Sequence, residues 1–442
     1  VEGWLDNFKI RLSAGSMGNG NVDPYSYTSE MTVVTASDIV LGGGLPSYTT
    51  VGSTVPVSLT WEKSTTYDVG LDLDFFNNRL SVSGDYYRRY TTDMYTASVA
   101  LPAVYGTGSP KGNNAEMKTD GWELSLSWRD SFKLGGKPFD YSIKAMVWDN
   151  RTVVTKYENA TRSLGTLKGY IQNGGSPSDF YEGMELGEMW GYTVAGLFRD
   201  QADIDSSATH DFTQASDKVT RPGQVKIADL DHNGNIDPGA FTADDHGDLS
   251  IIGNINPHYM FGVNLAANWN GIGLSVFLQG VMKRDWYPSP DSGYFWGKYA
   301  RPFMWVLGIH NYTDDMYSEE KNNWDTAYWP RMTTYQSNSS YSWTKLLEIP
   351  NTRYKQNAAY LRVKNIQVDY TFPKALCQKI RLGGLKIYLS GENLFTFTPL
   401  HKYAPNFDPE ALGYDTDFSS TAGDGYTYPV LKSVTLGVNI TF

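Results

Sequence analysis

Side-chain polarity along this chain repeats every two residues over many short stretches, and strict alternation places one set of side chains on each face of a β-strand. The last segment is the clearest. Val434, Leu436, Val438, Ile440 and Phe442 point one way, and Ser433, Thr435, Gly437, Asn439 and Thr441 point the other. Tyr67, Val69, Leu71, Leu73 and Phe75 alternate with Asp68, Gly70, Asp72 and Asp74. Leu80, Val82, Gly84 and Tyr86 follow the same rule, as do Trp122, Leu124, Leu126 and Trp128, and Phe261, Val263, Leu265, Ala267 and Trp269. Phe8, Ile10, Leu12 and Ala14 open the series. The pattern predicts ten strands, near residues 4–16, 62–76, 79–91, 115–129, 138–150, 257–269, 271–283, 358–372, 384–397 and 430–442.

The connections alternate in length. Asn77-Asn78 and Asn270-Gly271 are tight turns, 129–138 is short and 373–384 moderate. Between them lie long stretches near 17–62, 92–115, 151–256, 285–357 and 398–429. Aromatic residues stand near strand ends: Tyr67 and Phe75, Trp122 and Trp128, Tyr360 and Tyr370. Short turns on one side, long loops on the other and aromatic girdles at both lipid–water boundaries are the pattern of an outer-membrane barrel. A soluble sandwich gives no reason for such regular alternation. The fold class expected is therefore all-β, a transmembrane antiparallel barrel with long extracellular loops. An open ten-strand sheet would leave unpaired edges facing lipid, which is prohibitive, so further strands are expected upstream. The opening Val1-Glu-Gly-Trp-Leu carries no leader and fits a fragment of a longer protein.

Composition narrows the function. A net charge of −11 and a pI near 5.1 argue against nucleic acid as a partner. Aromatic residues make up 14%, with 31 Tyr and 13 Trp. The single cysteine, Cys377, excludes an internal disulfide and reads as an inert thiol. No apolar run is long enough for a transmembrane helix.

One motif suggests a metal. Asp229-Leu-Asp-His-Asn-Gly-Asn-Ile-Asp237 matches the first nine positions of an EF-hand-type calcium loop. Asp229, Asp231 and Asn233 supply oxygens, Gly234 permits the sharp turn, Asn235 offers its carbonyl and Asp237 sits at position nine. Position twelve is Ala240, where a bidentate Glu is usual. Asp248 could take its place if the intervening stretch bulges out, with Asp244 and Asp245 as rivals. The alternative is an Asx-rich turn without metal. Calcium here would brace a loop and do no chemistry.

The connection 285–357 is dense in aromatics, among them Trp286, Tyr294, Trp296, Tyr299, Trp305, Trp324 and Trp329. In a water-facing loop such rings either pack into a small core or present flat faces to a ligand, and the C–H faces of sugars stack on them. Catalysis has little support. The six histidines are scattered, with no His-Glu-x-x-His spacing and no phosphate-cradling glycine loop. The acidic stretch 200–248 would meet lipopolysaccharide only through bridging metal, if it faces the outer leaflet.

Several segments together resemble the SusC/RagA family of TonB-dependent outer-membrane transporters of Bacteroidetes. They are Leu59-Thr-Trp-Glu-Lys-Ser64, Trp190-Gly-Tyr192 with Gly196-Leu-Phe198, and Pro222-Gly-Gln-Val-Lys226. The calcium-like loop follows, then Ile252-Gly253 before Asn256-Pro257. Ala359-Tyr-Leu-Arg-Val-Lys-Asn-Ile366, Gly391-Glu-Asn-Leu-Phe-Thr396, Asp408-Pro-Glu410, Tyr428-Pro429 and the terminal Phe442 complete the set. The resemblance covers most of the chain and implies that residues 1–442 are the C-terminal part of one barrel of 22 strands. It implies an N-terminal plug, a TonB-box and the first strands, none of them in this chain. It also implies a SusD-like surface lipoprotein, the TonB complex and membrane lipid with lipopolysaccharide as partners. Asp248, just before the Ile-Gly pair, occupies the place of the family's closing acid, which favours it over Ala240. The activity implied is import of oligomeric nutrients across the outer membrane, oligosaccharides first, with oligopeptides as the alternative. A non-transporting receptor or adhesin is the rival outside transport, and enzymatic activity is not expected.

Overall fold

A computed structural model describes residues 4–20, 31–37, 40–52, 59–97, 111–165, 180–210, 220–288, 315–331, 350–412 and 430–442, with residues 28, 104, 295 and 428. Its frame is one ten-stranded antiparallel sheet. The strands, in chain order, are β1 (Leu5–Asn19), β2 (Glu62–Phe75), β3 (Leu80–Ala97), β4 (Lys111–Leu134) and β5 (Lys137–Lys156). They continue as β6 (His258–Trp269), β7 (Ile272–Lys283), β8 (Tyr360–Thr371), β9 (Gly384–Phe397) and β10 (Ser433–Thr441). Every strand pairs with its sequence neighbour, so the order across the sheet is the order along the chain. All ten strands expected from the alternation are present.

The register sorts side chains by face. One row across the sheet reads Phe8, Leu73, Val82, Leu126, Ala145, Val263, Leu278, Val363 and Phe395. The adjacent row, on the opposite face, reads Asn7, Asp74, Ser81, Ser127, Lys144, Asn264, Phe277, Asn365, Glu392 and Ser433. The first row is wholly apolar and the second almost wholly polar. A half-buried sheet in water would show the reverse economy, hiding the apolar face under a second layer. Here Leu12, Val69, Val434, Leu436 and Val438 are left exposed, which suits a face that meets lipid.

Aromatic contacts ring the short-turn ends. Trp4 stacks on Phe75, Phe76 meets Trp128 edge-on, Phe132 contacts Phe139 and Tyr141, and Tyr370 contacts Phe372. The indole of Trp128 donates to the Tyr141 hydroxyl at 3.0 Å and that of Trp269 to the Leu134 carbonyl at 3.1 Å. These rings form the girdle expected on that side. Tyr360 corrects the expected girdle. It is buried on the polar face beside Arg362, whereas Tyr370 lies on the apolar face. A β-bulge between Val363 and Asn365 inserts one residue, and one extra residue reverses the face of everything beyond it.

At the long-loop end β3, β4 and β5 run further than the alternation indicates. β3 carries a register shift between Thr91 and Met94, with Asp93 at φ 58°. Periodicity fails at this bulge, although the ladder resumes beyond it. Past the strand ends the long connections pack into a separate apolar core. It is built from Leu164, Met184, Met189, Tyr192, Ile227, Leu249, Trp286, Phe295, Trp329, Tyr354 and Leu400, among others. The sheet itself contributes little to this core, since its apolar face points outward.

Two substitutions in adjacent rows on opposite faces test the face assignment. Leu278→Arg, on the apolar row, is expected to cost about 2–4 kcal/mol in a bilayer. Asn365→Arg, on the polar row beside Glu392, is expected to cost less than about 1 kcal/mol. Reversible unfolding in lipid vesicles measures both, and equal costs would refute the assignment.

Candidate functional site

The acidic loop after Ile227 is held from two sides. Thr209–His210 pairs in parallel with Asn235–Ile236, and the Thr209 amide donates to the Gly234 carbonyl at 2.8 Å. Val225–Ile227 pairs with Val194–Leu197. Leu249–Asn254 pairs with Glu188–Tyr192. The loop therefore leaves one short strand and returns into another, with its turn stitched to a third.

Within it the side chains accept from their own backbone. The Gly234 amide donates to Asp229 Oδ2 at 3.0 Å, the Asn233 amide to Asp231 Oδ1 at 3.0 Å and the Asn235 amide to Asn233 Oδ1 at 2.7 Å. His232 and Gly234 adopt positive φ, 60° and 84°, which coils the chain tightly around the carboxylates. His232 is exposed.

Asp248 closes the site. It is fully buried, and its carboxylate accepts from the amides of Leu230 at 2.6 Å and Asp237 at 3.0 Å. Carboxylate oxygens of Asp229, Asp231 and Asp248 lie within 4.8 Å of one another. The stretch between Asp237 and Asp248 does bulge out. Gly239 and Gly247 stand back to back at its base, where a Cβ on Gly247 would sit 2.6 Å from the Gly239 nitrogen and 2.5 Å from the Asp237 carbonyl oxygen. Both have positive φ. Two glycines thus let the excursion close on itself and bring Asp248 back beside the loop. Its rival Asp244 is turned away into an ion pair with Arg162. The Asp237 carboxylate accepts from the Gly239 amide at 2.7 Å and from Asn233 Nδ2 at 3.4 Å.

The electrostatics of the cluster are unbalanced. Burial pushes the Asp248 carboxyl above its ordinary range, and the charges of Asp231 and Asp229 add to that. Asp229 Oδ1 is buried without a hydrogen-bond partner among the described residues. An orphaned buried carboxylate oxygen costs on the order of 1–3 kcal/mol or more. A hard divalent cation would relieve both the repulsion and the orphan, and an all-oxygen donor set is what calcium takes. The residues present fit the ion.

The aromatic residues expected at a ligand wall divide differently. Trp286 and Trp329 are each 1% exposed and sit in the loop core. Phe295 lies between them, 6.2 Å from Trp286 and 5.4 Å from Trp329, and Trp329 stacks on Tyr354 at 5.5 Å. Neither indole offers a face to solvent. Trp324 is half-buried against the same core. Tyr294, Trp296, Tyr299 and Trp305 lie outside the described residues.

A second polar group, not singled out from the sequence, ties the last long connection to the sheet. Arg362 of β8 is buried and pairs with Asp408 at 2.5 Å and Glu410 at 2.9 Å, while Lys364 pairs with Glu410 at 2.9 Å. Arg362 Nε also donates to the Thr396 hydroxyl at 2.9 Å. Two cations meet two anions, so no charge of the cluster is left unpaired. Glu188 is a further buried carboxylate. It accepts from the Tyr181 hydroxyl and from the Trp190 indole, the latter at 2.9 Å, and burial raises it above the usual range.

Beside the acidic loop, burial holds the His210 imidazole down at about 4. Its Nε2 accepts from the Ile227 amide at 2.9 Å, so Nδ1 carries the proton and donates to the Ala208 carbonyl at 3.0 Å. Because the folded value is depressed, its contribution to stability is complete above about pH 6.5 and is lost as pH falls toward 4. The loss expected is on the order of 3 kcal/mol. Melting temperatures at pH 7.5 and 5.0 test this, with His210→Gln as the comparison. The variant should show a clearly smaller acid shift, and an unchanged one would refute the role.

The family model "TonB dependent receptor-like, beta-barrel" matches residues 3–217. TonB-dependent receptor P3 of Formosa agariphila is 26% identical over 99% of this chain and 40% of its own length. TonB-dependent receptor SusC of Bacteroides thetaiotaomicron is 24% identical over 99% of this chain and 38% of its own. The chain thus spans about two fifths of the length of the curated relatives it matches. Among solved structures, the RagAB peptide transporter superposes on 100% of this chain and 42% of that one, with a TM-score of 0.65 and 20% identity. RagAB in its open-open state gives 0.67 and 21%. The resemblance read from the sequence is therefore matched by relatives in sequence and by a shared fold.

Proposed function

We propose, from the match of residues 3–217 to the TonB dependent receptor-like β-barrel family model and from the likeness of the chain to SusC and RagAB, that its protein imports oligomeric nutrients across the outer membrane. The observation that carries this reading is the division of the sheet into an apolar row and a polar row, capped by a packed body of long connections. Such a sheet is suited to a wall between lipid and a polar lumen. The body of loops is suited to receive a ligand from outside. In this reading a SusD-like surface lipoprotein captures ligand over the loops, and the TonB complex works through the part of the protein upstream of this chain. The role is transport, not catalysis.

The cargo we favour is an oligosaccharide. Trp286 and Trp329 then shape the loop core, and stacking on sugar falls to other rings of the same connection, Trp296 and Trp305 first. A second reading, oligopeptide import by the same machinery, is supported by the fold shared with RagAB, which is described as a peptide transporter. A receptor or adhesin without transport is the remaining alternative.

We further propose that Asp229, Asp231 and Asp248, with Asn233, Asn235 and Asp237 around them, hold calcium as a structural brace. The ion would neutralise converging carboxylates and fix the loop between its short strands, and it would take no part in transport chemistry.

Two experiments test these readings. Peptide-mapping mass spectrometry of the native complex from detergent-extracted outer membranes should find plug-domain peptides and a SusD-like lipoprotein with this chain. Their absence would overturn the transporter reading. For the metal, saturating calcium should stabilise the wild-type protein by about 3 kcal/mol at a hundredfold excess over Kd. Asp229→Ala with Asp231→Ala should abolish the difference between calcium and chelator. A wild-type melting temperature indifferent to chelator would end the calcium proposal.

A further inference from the structure

The outward face of the sheet changes character toward the long-loop end. Leu12, Val69, Tyr86 and Trp122 share one register row, and Ala14, Tyr67, Arg88, Asp120 and Arg151 share the next on the same face. One step further come Ser16, Thr65, Tyr90 and Lys118, and then Gly18 and Lys63. The apolar band therefore ends at Arg88 and Asp120. This is where tyrosines and cations belong at a lipid–water boundary.

A groove of about 640 Å³ lies here across β1, β2 and β3, lined among others by Leu12, Tyr67, Asp68, Val69, Tyr86, Arg88 and Tyr90. Its floor is apolar and one wall ends in the Arg88 guanidinium. Asp120 holds the cations in place. It lies 2.5 Å from Arg88 Nε and 3.3 Å from Lys118 Nζ, and it accepts from the Tyr86 hydroxyl at 2.9 Å. Arg151, in the neighbouring column, pairs with Glu185 at 2.6 Å. Lys63, Arg88, Lys118, Arg151 and Lys156 thus stand against Asp68, Glu116, Asp120 and Glu185, a slight local excess of positive charge on a chain whose net charge is −11.

The groove opens on the apolar face, so a nutrient in water or in the lumen does not reach it. Its occupant arrives sideways, within the bilayer. We propose that this groove is a site for a phosphate-bearing anionic lipid of the outer leaflet. An acyl chain lies against Leu12, Val69 and Tyr86, and the phosphate accepts from Arg88 and Lys118. Cations at the membrane surface attract anionic headgroups, and a guanidinium matches phosphate oxygens geometrically. Asp120 is at once the positioning residue and the competitor for the same donors. This inference rests on the barrel reading of the sheet.

The test uses the full-length protein in phosphatidylcholine nanodiscs doped either with monophosphoryl lipid A or with its dephosphorylated form. Native mass spectrometry reads the lipid retained. The wild type should retain the phosphorylated form preferentially, and Arg88→Gln with Lys118→Gln should lower that retention about tenfold. Asp120→Asn should raise it, an outcome that mere loss of structure would not give. Arg89→Gln, one residue along β3 and on the opposite face, should leave it unchanged. Equal retention of both lipids, an unaffected double variant, or reduced retention in Asp120→Asn would overturn the site alone. Failure of the folded protein to enter the bilayer would overturn the barrel reading and the site with it.

Discussion

A strand that crosses a membrane finds no water for its backbone amides and carbonyls, so each must be bonded by the strand beside it. That constraint sets the rest of this structure. It makes the sheet antiparallel and sequential, since each strand pairs with the next to arrive. It fixes the parity of side chains, so a single ladder separates an apolar row from a polar one. It also pushes chemical variety out of the sheet and into the connections at one end. In this chain β1 and β10 stand at the two ends of the strand order.

With its apolar side chains spent on the outer face, the sheet cannot supply a conventional core. The long connections build one instead. Residues from three of them converge in it: Leu164 and Tyr192, then Trp286, Trp329 and Tyr354, and Leu400 with Phe407. The stacking of Tyr328 on Tyr403 at 3.6 Å joins the 285–357 connection to the one after β9. Arg362, Asp408, Glu410 and Lys364 then fasten that last connection to the wall. A buried ion pair of this kind adds little net stability over apolar packing, but losing one partner strands a charge. Its effect is to specify where the loop sits. That accounts for two segments of the family resemblance, the one around Arg362 and Lys364 and the one at Asp408-Pro-Glu410, by a single contact.

The acidic loop follows the same logic on a smaller scale. Short strand pairs hold its ends, two glycines pinch off its insertion, and three carboxylates are forced together. Like charges remain so close only where something opposes their repulsion. Here the amides of Leu230 and Asp237 do part of that for Asp248. The orphaned oxygen of Asp229 is the part they leave undone.

The sequence by itself determined the ten strands, their order and their faces, because a period of two is a local property that each segment carries alone. It also marked the acidic loop, whose spacing from Asp229 to Asp237 is likewise local. The outcome at Tyr360 and in β3 beyond Thr91 depended on bulges, which are settled by the partner strand and leave no period to read. Asp248 reached its place only through the contact of Gly239 with Gly247, and no spacing rule anticipates a loop of that size closing on itself. The aromatic connection shows the limit most directly. Composition marked Trp286 and Trp329 as important, but whether a ring packs inward or faces a ligand is decided by what surrounds it. Phe295 and Tyr354 fold back from within the same connection, and Phe407 arrives from the one after β9, to bury them. Patterns within one segment fix what that segment is, and contacts between segments, which only the tertiary structure brings together, fix what its side chains do.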